Sequence, residues 1–439
     1  MRVFGLSRHC LVLALSVFLA ACSTAPVQSV EAAPTAQPCP AGVPAQMKCL
    51  RGVDSANAHY LIVMPPNWSG ILVVHAHGGP SLGEPKASRA DEDIKRWVIT
   101  VQQGHAWAGS VFRVGGFAVR SAAQDSERVR GIFVTHVAKP KRTLLHGQSW
   151  GAAVASMAAQ MFPTSWDGVL LTSGVVAGAS TYDFRLDLRV VYQQVCNNHP
   201  LPDEPAYPLN IGLPKDSQLT RAELDGRVEA CLGLRLAASQ RTPEQTRALQ
   251  AITRVIRIPA GSIQGHMNWA TWSLQDVVEK VGGASPLGND NVRYTGSTDD
   301  VALNQSVLRL RPDAAAKSRF EADINHAGQF AVPVLTAHGI NDSTVFVESH
   351  DHLKNRMAQA GTAARLVQTF VDSSEHSYWG DEMYPPLFNA LLAWLETGAA
   401  PTPRDIANNC RLMAGASAER CRFMPDYIAK PMASRIAPR

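Results

Sequence analysis

The chain has no long basic run. Its 41 lysines and arginines against 37 aspartates and glutamates leave a formal net charge of +4, dispersed along 439 residues. A nucleic acid therefore finds no basic stripe to neutralise its phosphates. None of the 8 cysteines stands in a Cys-x-x-Cys pair, and no histidine pair accompanies them, which argues against a metal site. The turn-rich stretch 289–300 lacks a glutamate at the spacing that closes a calcium loop. No internal repeat is present. The apolar run 11–20 is too short for a structural membrane-spanning helix. What remains is an ordinary globular composition, long enough for two or three structural units and a large buried core.

Residues 1–21 have the form of a secretory leader, with Arg2 and Arg8 before the apolar run. The run ends Leu19-Ala20-Ala21-Cys22, which resembles the lipobox of bacterial lipoproteins. The resemblance implies cleavage before Cys22, lipidation of that cysteine and a membrane partner through the lipid. Ser23 after it points to the outer membrane. Loss of the leader removes two arginines and lowers the charge from +4 to +2. Residues 22–46 are rich in Ala, Pro, Thr and Gln and are expected to form a flexible tether.

Export to an oxidising compartment gives the remaining six cysteines a role as cross-links. Six cysteines allow fifteen connectivities. Here they fall into three sequence-local pairs, so the expectation is Cys39 with Cys49, Cys196 with Cys231, and Cys410 with Cys421.

From about Met47 short β-rich runs alternate with amphipathic helical stretches, the pattern of an α/β sheet. Strands are expected over 59–64, 71–77, 105–111, 142–146, 168–172, 334–338 and 365–371. Helices are expected over 89–101, 122–137, 149–161, 347–360 and 385–396. The alternation breaks at residue 178 and resumes at 330. Between them, proline-rich loops lead into helices with legible starts, Thr220-Arg221-Ala222-Glu223 and Thr242-Pro243-Glu244. The layout is thus a core of 47–177 and 330–398, a helical insertion 178–329, and a cross-linked tail 399–439. Trp269 and Trp272, at helical spacing, belong either to the packing of that insertion or to a substrate cleft.

The chemistry begins at Gly147-Gln148-Ser149-Trp150-Gly151, between an expected strand and an expected helix. A turn that sharp needs glycines, because side chains at the flanking positions would strike neighbouring backbone, and it pushes the serine out. A serine hydroxyl is a weak nucleophile at neutral pH and needs a base, itself oriented by a third group. Asp342 follows the strand 334–338 and His376 follows the strand 365–371, both just past strand ends, where sheet enzymes gather reactive groups. Glu348 and Glu375 are less suitably placed acids. Asp381 lies too close to His376; His75, His146 and His338, on strand ends, read as structural, and His266, His350 and His352 lack the post-strand position. Asp91-Glu92-Asp93 fits the acidic first turn of a helix, and Asp299 and Asp300 fit solvated turns.

The elbow, Asp342 and His376, in that chain order, resemble the nucleophile, acid and histidine of the α/β-hydrolase superfamily. The resemblance covers about residues 47–398, with the helical insertion as its cap. It implies an α/β-hydrolase fold, a mostly parallel sheet flanked by helices, with Ser149, Asp342 and His376 as a catalytic triad. No metal and no cofactor are expected. His77-Gly78-Gly79-Pro80 sits where that superfamily places its oxyanion loop, so Gly79 and Trp150 are the implied N–H donors; Pro80 has no N–H to give. A serine at the apex, not an aspartate, disfavours haloalkane dehalogenation and epoxide hydrolysis. The same motifs resemble those of prolyl iminopeptidases, His-Gly-Gly-Pro-Gly and Gly-Gly-Ser-Trp-Gly. Ser81 and Gln148 depart from that pattern, and no acidic cap residues for a free amino terminus stand out. The expected reaction is hydrolysis of a carboxylic ester, with aminopeptidase action or a catalytically inactive binding lipoprotein as alternatives. The substrate class is a small ester or peptide; oligomeric state is not legible.

Overall fold

The computed structural model describes residue 1 and residues 31–197, 211–214 and 216–439. The leader, Cys22 and the start of the expected tether lie outside the described residues, as do Pro200, Pro202, Pro205 and Pro208 of the insertion.

One sheet of nine strands organises the molecule: β1 (Thr35–Gln37), β2 (Lys48–Val53), β3 (His59–Met64), β4 (Ile71–Ala76), β5 (Ala106–Ser110), β6 (Arg142–Gln148), β7 (Gly168–Thr172), β8 (Val334–Gly339) and β9 (Leu366–Val371). Their spatial order is β1-β2-β3-β5-β4-β6-β7-β8-β9. The strands from β5 to β9 run parallel and β1 to β3 join antiparallel at one edge. The central strands β4 to β8 are buried on both faces because helices cover both. Arg89–Arg96 and Pro385–Thr397 lie against one cluster, and Val119–His136 and Trp150–Met161 against the other. This is an α/β-hydrolase fold, and all seven expected strands are present to within two residues at either end.

The expected helix 89–101 is divided, because fully buried Trp97 interrupts it between Arg89–Arg96 and Val98–Gln102. Part of the expected tether also differs: residues 35–37 form β1, with Thr35 opposite Arg51 and Gln37 opposite Cys49. Low apolar content argued against folding there, but an edge strand needs only backbone partners, and the Cys39–Cys49 bond holds the segment in place. The other two expected pairs, Cys196–Cys231 and Cys410–Cys421, are also bonded.

Between β7 and β8 the described residues of the insertion are helical. Thr220 and Thr242 both close capping boxes, with Glu223 and Gln245 respectively. Trp269 and Trp272 fall in a single wide π turn, Trp269–Ser273. That turn sends their rings to different neighbours: Trp269 stacks on Tyr182 at 4.8 Å, and Trp272 lies under the Arg221 guanidinium at 4.5 Å.

Candidate active site

Ser149 occupies the tight turn between β6 and the helix Trp150–Met161, with φ 56° and ψ −123°. A non-glycine residue holds such a backbone only where its surroundings enforce it. The enforcement is visible in the flanking glycines. A Cβ on Gly147 would lie 2.4 Å from the Gly151 carbonyl oxygen, and one on Gly151 would lie 2.0 Å from that of Ala76. The helix therefore begins pressed against the end of β4, and Ser149 projects from the apex.

The loops after β8 and β9 bring two more groups to the same point. The Ser149 hydroxyl lies 2.7 Å from His376 Nε2, and His376 Nδ1 lies 2.7 Å from Asp342 Oδ2. Nδ1 donates to the carboxylate, so the Nε2 lone pair faces the hydroxyl. The other carboxylate oxygen, Oδ1, accepts the N–H groups of Thr344 at 2.8 Å and Val345 at 3.1 Å. Asp342 is thus buried, oriented and matched to three donors. The other acids are engaged elsewhere: Glu348 pairs with Arg435 at 3.0 Å, and Asp381 accepts the Tyr378 hydroxyl at 2.5 Å. Asp299 caps the helix Asp300–Ser306, and Asp300 accepts Ser297. Among the described residues no group of histidine, cysteine and carboxylate side chains is arranged to hold a metal.

The His77-Gly78-Gly79-Pro80 loop leaves β4 directly beside the nucleophile. A Cβ on Gly78 would lie 3.3 Å from Ser149 Cβ and 2.4 Å from Gln148 Oε1, so only glycine lets the loop approach this closely. Gly79 has φ +140°. Trp150 is the first residue of its helix, where an N–H has no partner within the helix. The expected donors thus stand at the start of a helix and in the loop packed against the nucleophile.

Sequence reasoning missed the supports behind Asp342. His266, on the insertion helix Ile263–Asn268, donates from Nε2 to the Ser343 carbonyl at 2.8 Å. Arg185, on the helix Asp183–Cys196, donates to the Thr344 carbonyl at 3.2 Å and to His266 Nδ1 at 3.4 Å. Burial, reinforced by the Arg185 charge, pushes His266 down to about 3, so it stays neutral and its Nδ1 accepts. Arg185 is itself buried against the Tyr182–Trp269 stack, its guanidinium 4.9 Å from the Tyr182 ring and 4.8 Å from the Trp269 ring. A second chain of bonds approaches from the sheet: His350 donates to His338 at 2.9 Å, and His338 donates to the Val345 carbonyl at 2.9 Å. Burial lowers both imidazoles, which keeps this relay uncharged beside the acid. None of these contacts has a local sequence signal, because each joins residues distant in the chain or reads a backbone carbonyl.

An aromatic wall extends from the elbow into the insertion: Trp150 meets Phe117 at 6.2 Å, and Phe117 meets Trp269 at 5.7 Å and Tyr182 at 5.4 Å. A cavity of about 200 Å³ adjoins the oxyanion loop, bounded by His77, Phe112 and Trp150, with exposed Leu82 and Val114 among its lining. A larger one, about 370 Å³, lies between the insertion and the C-terminal segment and contains no member of the Ser149–His376–Asp342 set. The first is not lined by Ser149, His376 or Asp342 either, but it lies against the His77–Pro80 loop and Trp150.

No protein-family model matches the chain, and no curated protein matches it in sequence. Solved structures do. Feruloyl esterase B from Aspergillus oryzae is 13% identical over 85% of this chain and 88% of its own, with a TM-score of 0.49. An esterase from Aspergillus oryzae is 13% identical over 81% of each chain, with a TM-score of 0.42. The rice cell wall degrading esterase LipA from Xanthomonas oryzae is 12% identical over 80% of this chain and 89% of its own, with a TM-score of 0.37. The chain is similar to these proteins in fold; its chemistry is read from its own side chains.

Proposed function

We propose that the protein is a serine hydrolase that cleaves carboxylic esters through an acyl-enzyme. The observation that carries this is the continuous pair of 2.7 Å bonds from Ser149 to His376 to Asp342 at the apex of a strained turn. His376 Nε2 takes the Ser149 proton as the hydroxyl oxygen attacks the ester carbonyl. The carbonyl oxygen becomes an anion, which the Gly79 and Trp150 N–H groups stabilise. Removing one such donor typically costs about 3 to 4 kcal/mol of barrier. The protonated His376 then gives its proton to the departing alcohol, leaving Ser149 acylated. Water, activated by His376, releases the acid and restores the serine. Asp342 holds the imidazole with its proton on Nδ1 and stabilises the cation that forms.

A fluorophosphonate probe tests the reading, since only an activated serine reacts. Labelling of the wild type, absence of label in Ser149→Ala, and loss of p-nitrophenyl ester turnover in that variant are expected. Label or turnover that persists in Ser149→Ala refutes the assignment. Faster cleavage of proline and alanine anilides than of esters would replace ester hydrolysis with aminopeptidase action.

We further propose export and anchoring in the outer membrane through a lipid on Cys22, with the catalytic unit outside the cytoplasm, facing the periplasm or the cell surface. Three cross-links in a chain with a leader-like start support it. Among the described residues no helix is long and apolar enough to cross a membrane. Metabolic incorporation of palmitate that vanishes in Cys22→Ala is the expected result; an unlabelled wild type overturns the anchor.

A further inference from the structure

The Gly78 carbonyl oxygen accepts two hydrogen bonds. One comes from His77 Nδ1 at 2.7 Å and the other from Arg89 Nη2 at 3.1 Å. Arg89 opens the helix Arg89–Arg96 and is held in turn by Asp93 at 3.3 Å and Glu92 at 3.3 Å. Asp93 is buried and Arg89 only partly exposed, so this is a built contact. His77 is fully enclosed and stacked on Phe112 at 4.3 Å. Burial lowers its affinity for a proton, so the ring is neutral, and its short contact with a carbonyl places the single proton on Nδ1.

The consequence follows from peptide geometry. The Gly78 C=O and the Gly79 N–H belong to one planar unit and, across a trans bond, point in opposite directions. Two glycines in succession leave that plane free to rotate, since neither residue restricts its torsions sterically. Whatever grips the oxygen therefore aims the N–H. A guanidinium on the oxygen also polarises the amide and strengthens its N–H as a donor.

We propose that Arg89, together with His77, is a positioning residue that presets the Gly79 N–H as an oxyanion donor. The inference rests on the acyl-transfer reading above. Neither side chain touches the reacting atoms. Each acts through the Gly78–Gly79 peptide.

The test compares Arg89→Met, Arg89→Lys and His77→Phe, the last keeping an aromatic ring against Phe112. With p-nitrophenyl esters, Arg89→Met should lower kcat about 10- to 100-fold, as expected for a misaligned donor, with KM changed by less than about twofold. A trifluoromethyl ketone, which forms a tetrahedral oxyanion on an active serine, should lose affinity by the same factor as kcat. Arg89→Lys should recover part of the loss, and His77→Phe should reproduce the pattern on its own. If kcat and ketone affinity are retained in both Arg89→Met and His77→Phe, or if KM alone rises, the proposal is overturned. Should Arg89→Met not fold, His77→Phe decides it alone. Fluorophosphonate labelling of the wild type keeps the two readings apart. A labelled wild type with fully active variants removes only the role of Arg89 and His77, whereas an unlabelled wild type removes both readings.

Discussion

The sheet and the helical insertion serve the site in different ways. Every group in the proposed reaction comes from the sheet: Ser149 from the turn after β6, Asp342 from the loop after β8, His376 from the loop after β9, and Gly79 from the loop after β4. Among the described residues no side chain of the insertion is hydrogen-bonded to Ser149 or His376. It grips the backbone behind the acid, through His266 on Ser343 and Arg185 on Thr344, and supplies Trp269 to the aromatic wall. On the proposed reading the reaction type lives in the sheet, while the insertion steadies one loop.

The strongest way to sharpen this contrast is within the sheet set. Asp342→Asn keeps the size of the side chain but reverses the hydrogen bond to His376 Nδ1. It should lower kcat about 10⁴-fold while leaving the fold intact, measured by ester turnover beside a thermal melt. A loss smaller than about tenfold would move the acid role to another group.

The next largest effect should be on stability, and it should be local. The Cys196–Cys231 bond spans 35 residues and ties the helix Asp183–Cys196 to Arg221–Leu232. Replacing both with serine should cost the insertion about 4 kcal/mol, against about 3 kcal/mol for the shorter Cys39–Cys49 loop at the sheet edge. Hydrogen exchange would locate the loss. Equal loosening of β4 to β8 would show that sheet and insertion unfold as one unit and break the comparison.

The smallest effect tests whether the insertion reaches the chemistry at all. His266→Ala removes the bond to Ser343 and should lower kcat about tenfold, comparable to a single positioning contact, and distort the pH profile of kcat. If only KM changes, the insertion acts on substrate entry and not on the acid loop.

How much was legible follows from the range of each interaction. The strand pattern, the elbow, and Asp342 and His376 past their strand ends all stand in local sequence, where a period of two, a glycine-flanked serine or a post-strand position is written in adjacent residues. The Thr220 and Thr242 caps were legible for the same reason. β1 was not, because an edge strand is stabilised by backbone bonds to Cys49, Leu50 and Arg51, which no side-chain pattern announces. The Trp269–Ser273 turn was not, because a π turn leaves the helical spacing of Trp269 and Trp272 in the sequence while sending their rings apart.

Residue type and order thus determine the fold class and name a candidate nucleophile with candidates for its base and acid, since these depend on motifs a few residues long. Tertiary structure alone decides that His376 reaches both Ser149 and Asp342 at 2.7 Å, separations of 227 and 34 residues along the chain. It alone shows that Arg89 and His77 hold one peptide oxygen and that His266 and Arg185 brace the acid loop. Those contacts end on backbone carbonyls, groups that every residue carries, so no choice of amino acid at the accepting position records them.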